Sequence, residues 1–224
     1  MSASYSPLPG QGRSARRVGD SGASGLRLLF AMVGLMWGVE IVDTVLLMSG
    51  LGSRSGGFLD QFGIWAYSPE GLIGIATAPF LHAGFAHLLS NTVPLLMLGA
   101  IIAASGAAHL LAVTVVVALI SGFGTWLTSP PYAVTVGASG LVFGYATYLI
   151  VRGIFNRSLG QLLIGIIVVI FWGGALLSGL LPQPGISWQG HFFGAVGGIV
   201  SAWLLARPSS RRRTTSRSYG WEQY

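Results

Sequence analysis

The sequence predicts an all-α polytopic membrane protein, a bundle of six transmembrane helices with an interfacial first loop. Three observations lead there. Of 224 residues, 52% are hydrophobic and only 8% charged, where soluble domains carry about 25% charge, and the mean hydropathy is +0.70. The apolar residues gather into six runs, each long enough to cross a hydrocarbon core of about 30 Å at about 1.5 Å per residue. Glycine accounts for 34 residues, about twice the usual share, which in lipid suits helices that pack backbone against backbone. With no cysteine, disulfides and thiolate metal sites are excluded.

Residues 1–25 are rich in Ser, Gly and Arg and are expected to form a disordered cytoplasmic tail. The first span, 26–48, is far longer than the h-region of a secretory signal and lacks a small-x-small cleavage site after it. From Ser49 to Leu81 the chain is too apolar for an ordinary loop and too interrupted by glycine and by Pro69 and Pro79 to span. Short interfacial helices are expected there, with Trp65 and Tyr67 at headgroup level. Five further spans follow at 83–104, 107–127, 135–151, 160–181 and 187–206, with Pro94 kinking the second. The membrane domain is thus 26–206, and 207–224 form a basic cytoplasmic tail.

Arginine sets the orientation, since the chain has no lysine. Arg13, Arg16, Arg17 and Arg27 precede or open the first span, Arg152 and Arg157 lie after the fourth, and Arg207, Arg211, Arg212, Arg213 and Arg217 follow the sixth. Six spans put all of these on one face and leave only Arg54 on the other, so by the positive-inside rule the richer face is cytoplasmic. The basic tails are better explained by anionic lipid than by nucleic acid. The composition suggests a bacterial plasma membrane.

In this topology spans two, four and six run inward from the outer face, and each begins with a polar group. His82 and His87 open span two, with Asn91 one turn on. Ser139, in Gly137-Ala138-Ser139-Gly140, lies about four residues into span four, and His191 about four residues into span six. At about 1.5 Å per residue the serine and His191 should reach similar depth, roughly 6 Å below their helix starts. Polar groups at that depth are expensive and default to function. Ser139 is read as a nucleophile and His191 as the base that takes its proton. Gly140 and Gly144 on span four, and Gly190, Gly194 and Gly198 on span six, would let the two helices close together, although helix packing without chemistry predicts the same stripe.

None of the six acids lies in spans two, four or six, so a Ser-His dyad is expected. The Ser139 backbone N–H at a helix start can meet an oxyanion. His87 and Asn91 share a face of span two, and together with His82 and Gly137 they complete the oxyanion and substrate-stabilising candidates. No metal or other cofactor is expected: His82 and His87 do not share a helical face, and no carboxylate or H-E-x-x-H completes a site. His109 reads as structural. Glu40 and Asp43, three apart on one face of span one, are expected to meet polar groups of the bundle or interfacial water. Leu141 stands where the G-x-S-x-G elbow of soluble hydrolases has its last glycine.

Taken in order and on one face, these residues resemble the rhomboid intramembrane serine proteases, and the likeness covers nearly all six spans, making the expected bundle rhomboid-like. The resemblance implies Ser139 as nucleophile, His191 as base, and His87, Asn91 and the Ser139 backbone as oxyanion donors, with His82 matching a further family histidine. It implies a serine endopeptidase hydrolysing peptide bonds in or near transmembrane helices of membrane-protein substrates, with its active site opening to the extracytoplasmic face. Two positions depart from the family pattern. Ile73 and Gly74 stand where relatives often carry a Trp-Arg pair in the first loop, and Phe143 keeps the aromatic ring that many relatives pack on the catalytic histidine but offers no phenolic hydroxyl. A substrate helix must unwind to expose its scissile carbonyl, and the connection Leu181–Ile186 beside His191 is a plausible movable cap. The main alternative is a catalytically silent rhomboid-like protein that binds transmembrane clients. A transporter would need a polar path through the inner halves of these spans, which are apolar. Substrate identity and oligomeric state are not written in the sequence.

Overall fold

A computed structural model describes residues 11–52 and 57–206, the backbone alone for 11–20. Residues 1–10, Arg54 and the 207–224 tail lie outside the described residues. The helix α1 (Gln11–Met48) starts well before the apolar run that opens at Leu26, so 11–25 are helical where a disordered segment was expected. Its membrane-length portion is Ser21–Met48. The buried positions Leu29, Met32, Val33, Met36, Glu40 and Asp43 recur every three or four residues, the spacing of a single helical face, while Phe30, Leu35, Ile41, Val42 and Val45 point outward.

The first loop is a folded body and not merely a set of interfacial turns. It contains 3-10 turns at Leu59–Phe62, Glu70–Ile73 and Ala78–Phe80, the one-turn helix α2 (Gly74–Thr77), and a two-residue strand β1 (Ile64–Trp65). Strand β1 pairs antiparallel with β2 (Val134–Thr135), Ile64 opposite Thr135 and Trp65 opposite Val134. Close approach explains the glycines here. A Cβ on Gly63 would stand 2.7 Å from the Thr135 carbonyl oxygen, and one on Gly74 would overlap Gly63.

Four long helices complete the bundle with α1: α3 (Phe85–Ala103), α4 (Ala107–Thr128), α5 (Ser139–Phe155) and α7 (Trp188–Leu204), while α6 (Leu159–Gly179) leans on α5 from outside. Among the described residues, α1, α3, α4 and α6 are long and apolar enough to cross a membrane; α5 and α7 have 17 residues each. Pro94 is buried within α3, which continues through it.

Helix α5 is the central element, and its closest partner is α7. A Cβ at Gly194 would overlap the Gly140 carbonyl, and one at Gly198 would overlap the Gly144 carbonyl, so the two backbones touch along this seam. Thr147 Oγ1 crosses it to the Ala195 carbonyl at 2.9 Å. On the other flank, Ser121 Oγ of α4 donates to the Gly190 carbonyl at 2.8 Å. Below, Tyr145, Leu88, Leu95, Leu110, Val113 and Leu149 are fully buried and close the core.

Candidate active site

The serine comes first on its helix. Residues 134 and 135 are held in the β-ladder, and Gly137 has φ +116°, a left-handed conformation that an L side chain resists. Helix α5 therefore cannot begin at 135; it begins at Ser139, with Ala138 as its N-cap. The difference matters chemically. The Val142 N–H is the first to bond back, to the Ala138 carbonyl at 3.1 Å, so the N–H groups of Ser139, Gly140 and Leu141 are the orphan donors that every helix start leaves.

His191 is the fourth residue of α7 and is 7% exposed. Its ring lies flat on Phe143, centroids 4.1 Å apart and planes 6° apart. Its Nδ1 is 2.7 Å from the Gly179 carbonyl oxygen. A carbonyl only accepts, so Nδ1 carries the proton and Nε2 of the neutral ring is a free acceptor. Gly179 ends α6, where the last carbonyls have no intrahelical partner. A Cβ there would stand 2.5 Å from Phe143 Cζ and 3.1 Å from His191 Nδ1, so the glycine also makes room for the stacked pair. Nothing in the sequence pointed to this carbonyl, because a backbone acceptor leaves no side-chain signature.

His87 and Asn91 project from the first two turns of α3. Ala83 donates its N–H to His87 Nδ1 over a long 3.5 Å, which puts the His87 proton on Nε2. That nitrogen presses on the serine turn: a Cβ on Gly137 would lie 2.8 Å from it. Gly137 thus serves His87 by its missing side chain, while its own N–H is committed to the Ala78 carbonyl at 2.9 Å and is not an oxyanion donor. One Asn91 amide hydrogen goes to the His87 carbonyl at 2.8 Å, leaving the other free. His82 is 1% exposed, packs edge-on against His87 with centroids 5.2 Å apart, and has no close hydrogen-bond partner at either ring nitrogen.

Ser139, His191, His87 and Asn91 all line one cavity of about 700 Å³. His82 and Gly137 do not; they stand behind it. No hydrogen bond joins Ser139 to His191. The cavity also takes Asp60, Ser129, Trp172, Gln183 and Gln189, residues the sequence did not single out. On the far side of Ser139 is a second space of about 30 Å³, lined in part by Ser121, Thr125, Gly137 and Ser187, the volume of about one water. His109 bonds Tyr148 OH at 2.6 Å at the other end of the bundle. No group of three or more His, Cys, Asp or Glu among the described residues could hold a metal ion.

These features define a multi-pass helical membrane protein whose helix-opening serine, two histidines and asparagine meet at one cavity. Comparison with known proteins supplies the family. Residues 69–208 match the Rhomboid domain. The uncharacterized protein Rv1337 of Mycobacterium tuberculosis is 37% identical over 199 residues, 85% of this chain and 79% of that protein. The putative rhomboid protease YdcA of Bacillus subtilis is 32% identical over 140 residues, 62% of this chain and 69% of YdcA. Rhomboid-like protein 11, chloroplastic, of Arabidopsis thaliana is 33% identical over 148 residues, 58% of this chain and 51% of that protein. The chain belongs to the rhomboid family.

Proposed function

We propose that the protein is an intramembrane serine endopeptidase that cleaves transmembrane protein substrates with Ser139 as nucleophile and His191 as base. The observation that carries this is the placement of His191: its Nδ1 lies 2.7 Å from the Gly179 carbonyl oxygen and its ring lies on Phe143, which leaves Nε2 as the acceptor on a residue bordering the same cavity as Ser139. A backbone carbonyl thereby takes the orienting part that an acid plays in a triad, and no third side chain is needed.

In this reading the Ser139 Oγ rotates onto His191 Nε2 as substrate enters, since catalytic hydrogen bonds tighten in the complex. Oγ attacks the scissile carbonyl while its proton passes to Nε2. The oxyanion meets the Ser139 N–H, His87 Nε2–H and the free Asn91 amide hydrogen, aided by the positive end of α5. Collapse breaks the C–N bond, and imidazolium returns the proton to the leaving amine. Water then attacks the acyl-enzyme, giving its proton to His191, and the ester bond breaks to release the acid and restore the serine.

The same reading makes α1, α3, α4, α5, α6 and α7 six spans. At about 1.5 Å per residue, 17 residues reach about 26 Å, within the usual spanning range. Arginine placement supports cytoplasmic termini in a plasma membrane and a site facing outward. The test is a panel of tagged single-span substrates with helix-weakening residues near the outer interface, reconstituted with the enzyme. Wild type is expected to release two fragments, and Ser139→Ala and His191→Ala none. Cleavage that persists in a folded Ser139→Ala protein overturns the reading, and binding of substrate without cleavage by wild type favours the client-binding alternative.

A further inference from the structure

The buried face of α1 runs Leu29, Met32, Val33, Met36 and then ends, in its outer turns, on two carboxylates, Glu40 and Asp43, 3% and 5% exposed. Buried carboxylates inside a membrane helix are costly unless donors meet them. Asp43 has such a donor: the Leu59 backbone N–H bonds its Oδ1 at 2.6 Å. The first loop closes around the other oxygen so tightly that a Cβ on Gly57 would overlap Oδ2. The Gly57 N–H turns to Asp60 Oδ2 at 3.1 Å, so residues 57–60 form a collar seated on Asp43. One turn earlier on the same face, the Gly84 N–H, at the N-cap of α3, faces the carboxylate of Glu40.

From the collar the chain passes directly into β1, and β1 is paired with β2, which ends four residues before Ser139. Two further bonds tie the serine turn to this loop: the Ala66 N–H donates to the Ala133 carbonyl at 3.3 Å, and the Gly137 N–H to the Ala78 carbonyl at 2.9 Å. We propose that Asp43 is a positioning residue for the nucleophile: by holding Leu59 and the collar to α1, its carboxylate fixes the seating of β1 on β2 and hence the pose of Ser139. A peripheral helix thus sets the geometry of a serine it does not touch. The proposal rests on the reading of Ser139 as nucleophile, and its test separates the two.

Two quantities are measured on purified protein: the rate constant for fluorophosphonate labelling of Ser139, and hydrogen exchange at the Ala66 and Gly137 amides. Asp43→Ala is expected to slow labelling about 10-fold, the scale of a small mispositioning, and to speed exchange at both amides with the α5–α7 interface unchanged. Asp43→Asn keeps an oxygen that accepts the Leu59 N–H and is expected to label within about threefold of wild type. That rescue separates positioning from a requirement for charge. Should Asp43→Ala fail to fold, Gly57→Ala, which pushes the collar off the same carboxylate, is read in its place with the same expected losses. Wild-type labelling and unchanged exchange in a folded Asp43→Ala protein overturn the proposal. If wild-type protein takes no label, the nucleophile reading falls, and exchange at Ala66 and Gly137 still decides whether Asp43 seats the loop.

Discussion

At the scale of single residues the His191 imidazole is held on one face by the Phe143 ring and at its Nδ1 edge by the Gly179 carbonyl. A stacked pair of this kind contributes about 0.5–1.5 kcal/mol beyond its buried area, and here the energy is spent on orientation. Phe143→Ala is expected to lower kcat up to about 10-fold with little change in KM, and Phe143→Tyr to restore it; equal kcat for Phe143→Ala and wild type would show that the ring does not hold the base. Two groups outside the spans give the protein an acid response. Burial raises Asp60 from 3.8 to about 6, with the Gly57 N–H opposing and Asp43 adding. Its folded form therefore binds the extra proton, and its contribution to stability is greatest below 3.8 and lost as pH rises through about 6. Burial, with His87 adding, lowers His82 from 6.5 to about 4. Its contribution is present above 6.5 and lost as pH falls through about 4. The two oppose each other over the same range, so Asp60→Asn should unmask the His82 slope: its melting temperature is expected to drop more between pH 6.5 and 4.5 than that of wild type. Parallel melting curves for the two proteins contradict this balance.

At the scale of elements, what the sequence made legible were features written in side chains. Apart from the start of α1, which lies fifteen residues before the expected span, the apolar runs mark the long helices to within a few residues, and Ser139, His191, His87 and Asn91 fall at one cavity. The span expected from 135 opens four residues before α5 does, because Thr135 and Val136 continue the apolar run in sequence and only the pairing of Val134 and Thr135 with Trp65 and Ile64 takes the chain there into a strand. That pairing is a contact across some seventy residues, invisible to local periodicity. The Gly179 carbonyl was illegible for a different reason, being main chain. The connection 181–186 is a tight turn closed by a bridge between Gln183 and Ile186, with Gly185 at φ +74° and Gln183 tied to the Ser178 carbonyl at 2.7 Å. Pro182, Gln183, Gly185 and Ile186 all border the cavity. Because the chain has no cysteine, an engineered disulfide from this turn to α3 is clean. The tether is expected to suppress cleavage of transmembrane substrates while sparing small-probe labelling of Ser139, and unchanged substrate turnover in a fully oxidised protein would remove the turn as a cap.

At the scale of the whole molecule, the bundle divides into a rigid seam and a lighter periphery. Helices α5 and α7 touch backbone to backbone at Gly140, Gly144, Gly194 and Gly198, with the Val117 and Ser121 side chains of α4 against the same seam, and α5 and α7 carry Ser139 and His191. Helix α1, the first loop and α3, which brings His87 and Asn91, pack directly on α4 and α5, and the β1–β2 pairing adds a further tie beside the serine turn. Helix α6 has only Gly165 and Val168 buried, yet its terminal carbonyl meets His191 Nδ1 at 2.7 Å. The central claim is that this assembly activates Ser139. It is tested most directly by treating the purified protein with fluorophosphonate and isocoumarin probes beside Ser139→Ala and His191→Ala. The account predicts label on wild type alone, mapped to Ser139 by mass spectrometry; folded wild-type protein that takes neither probe, or label that persists in His191→Ala at the wild-type rate, would contradict it.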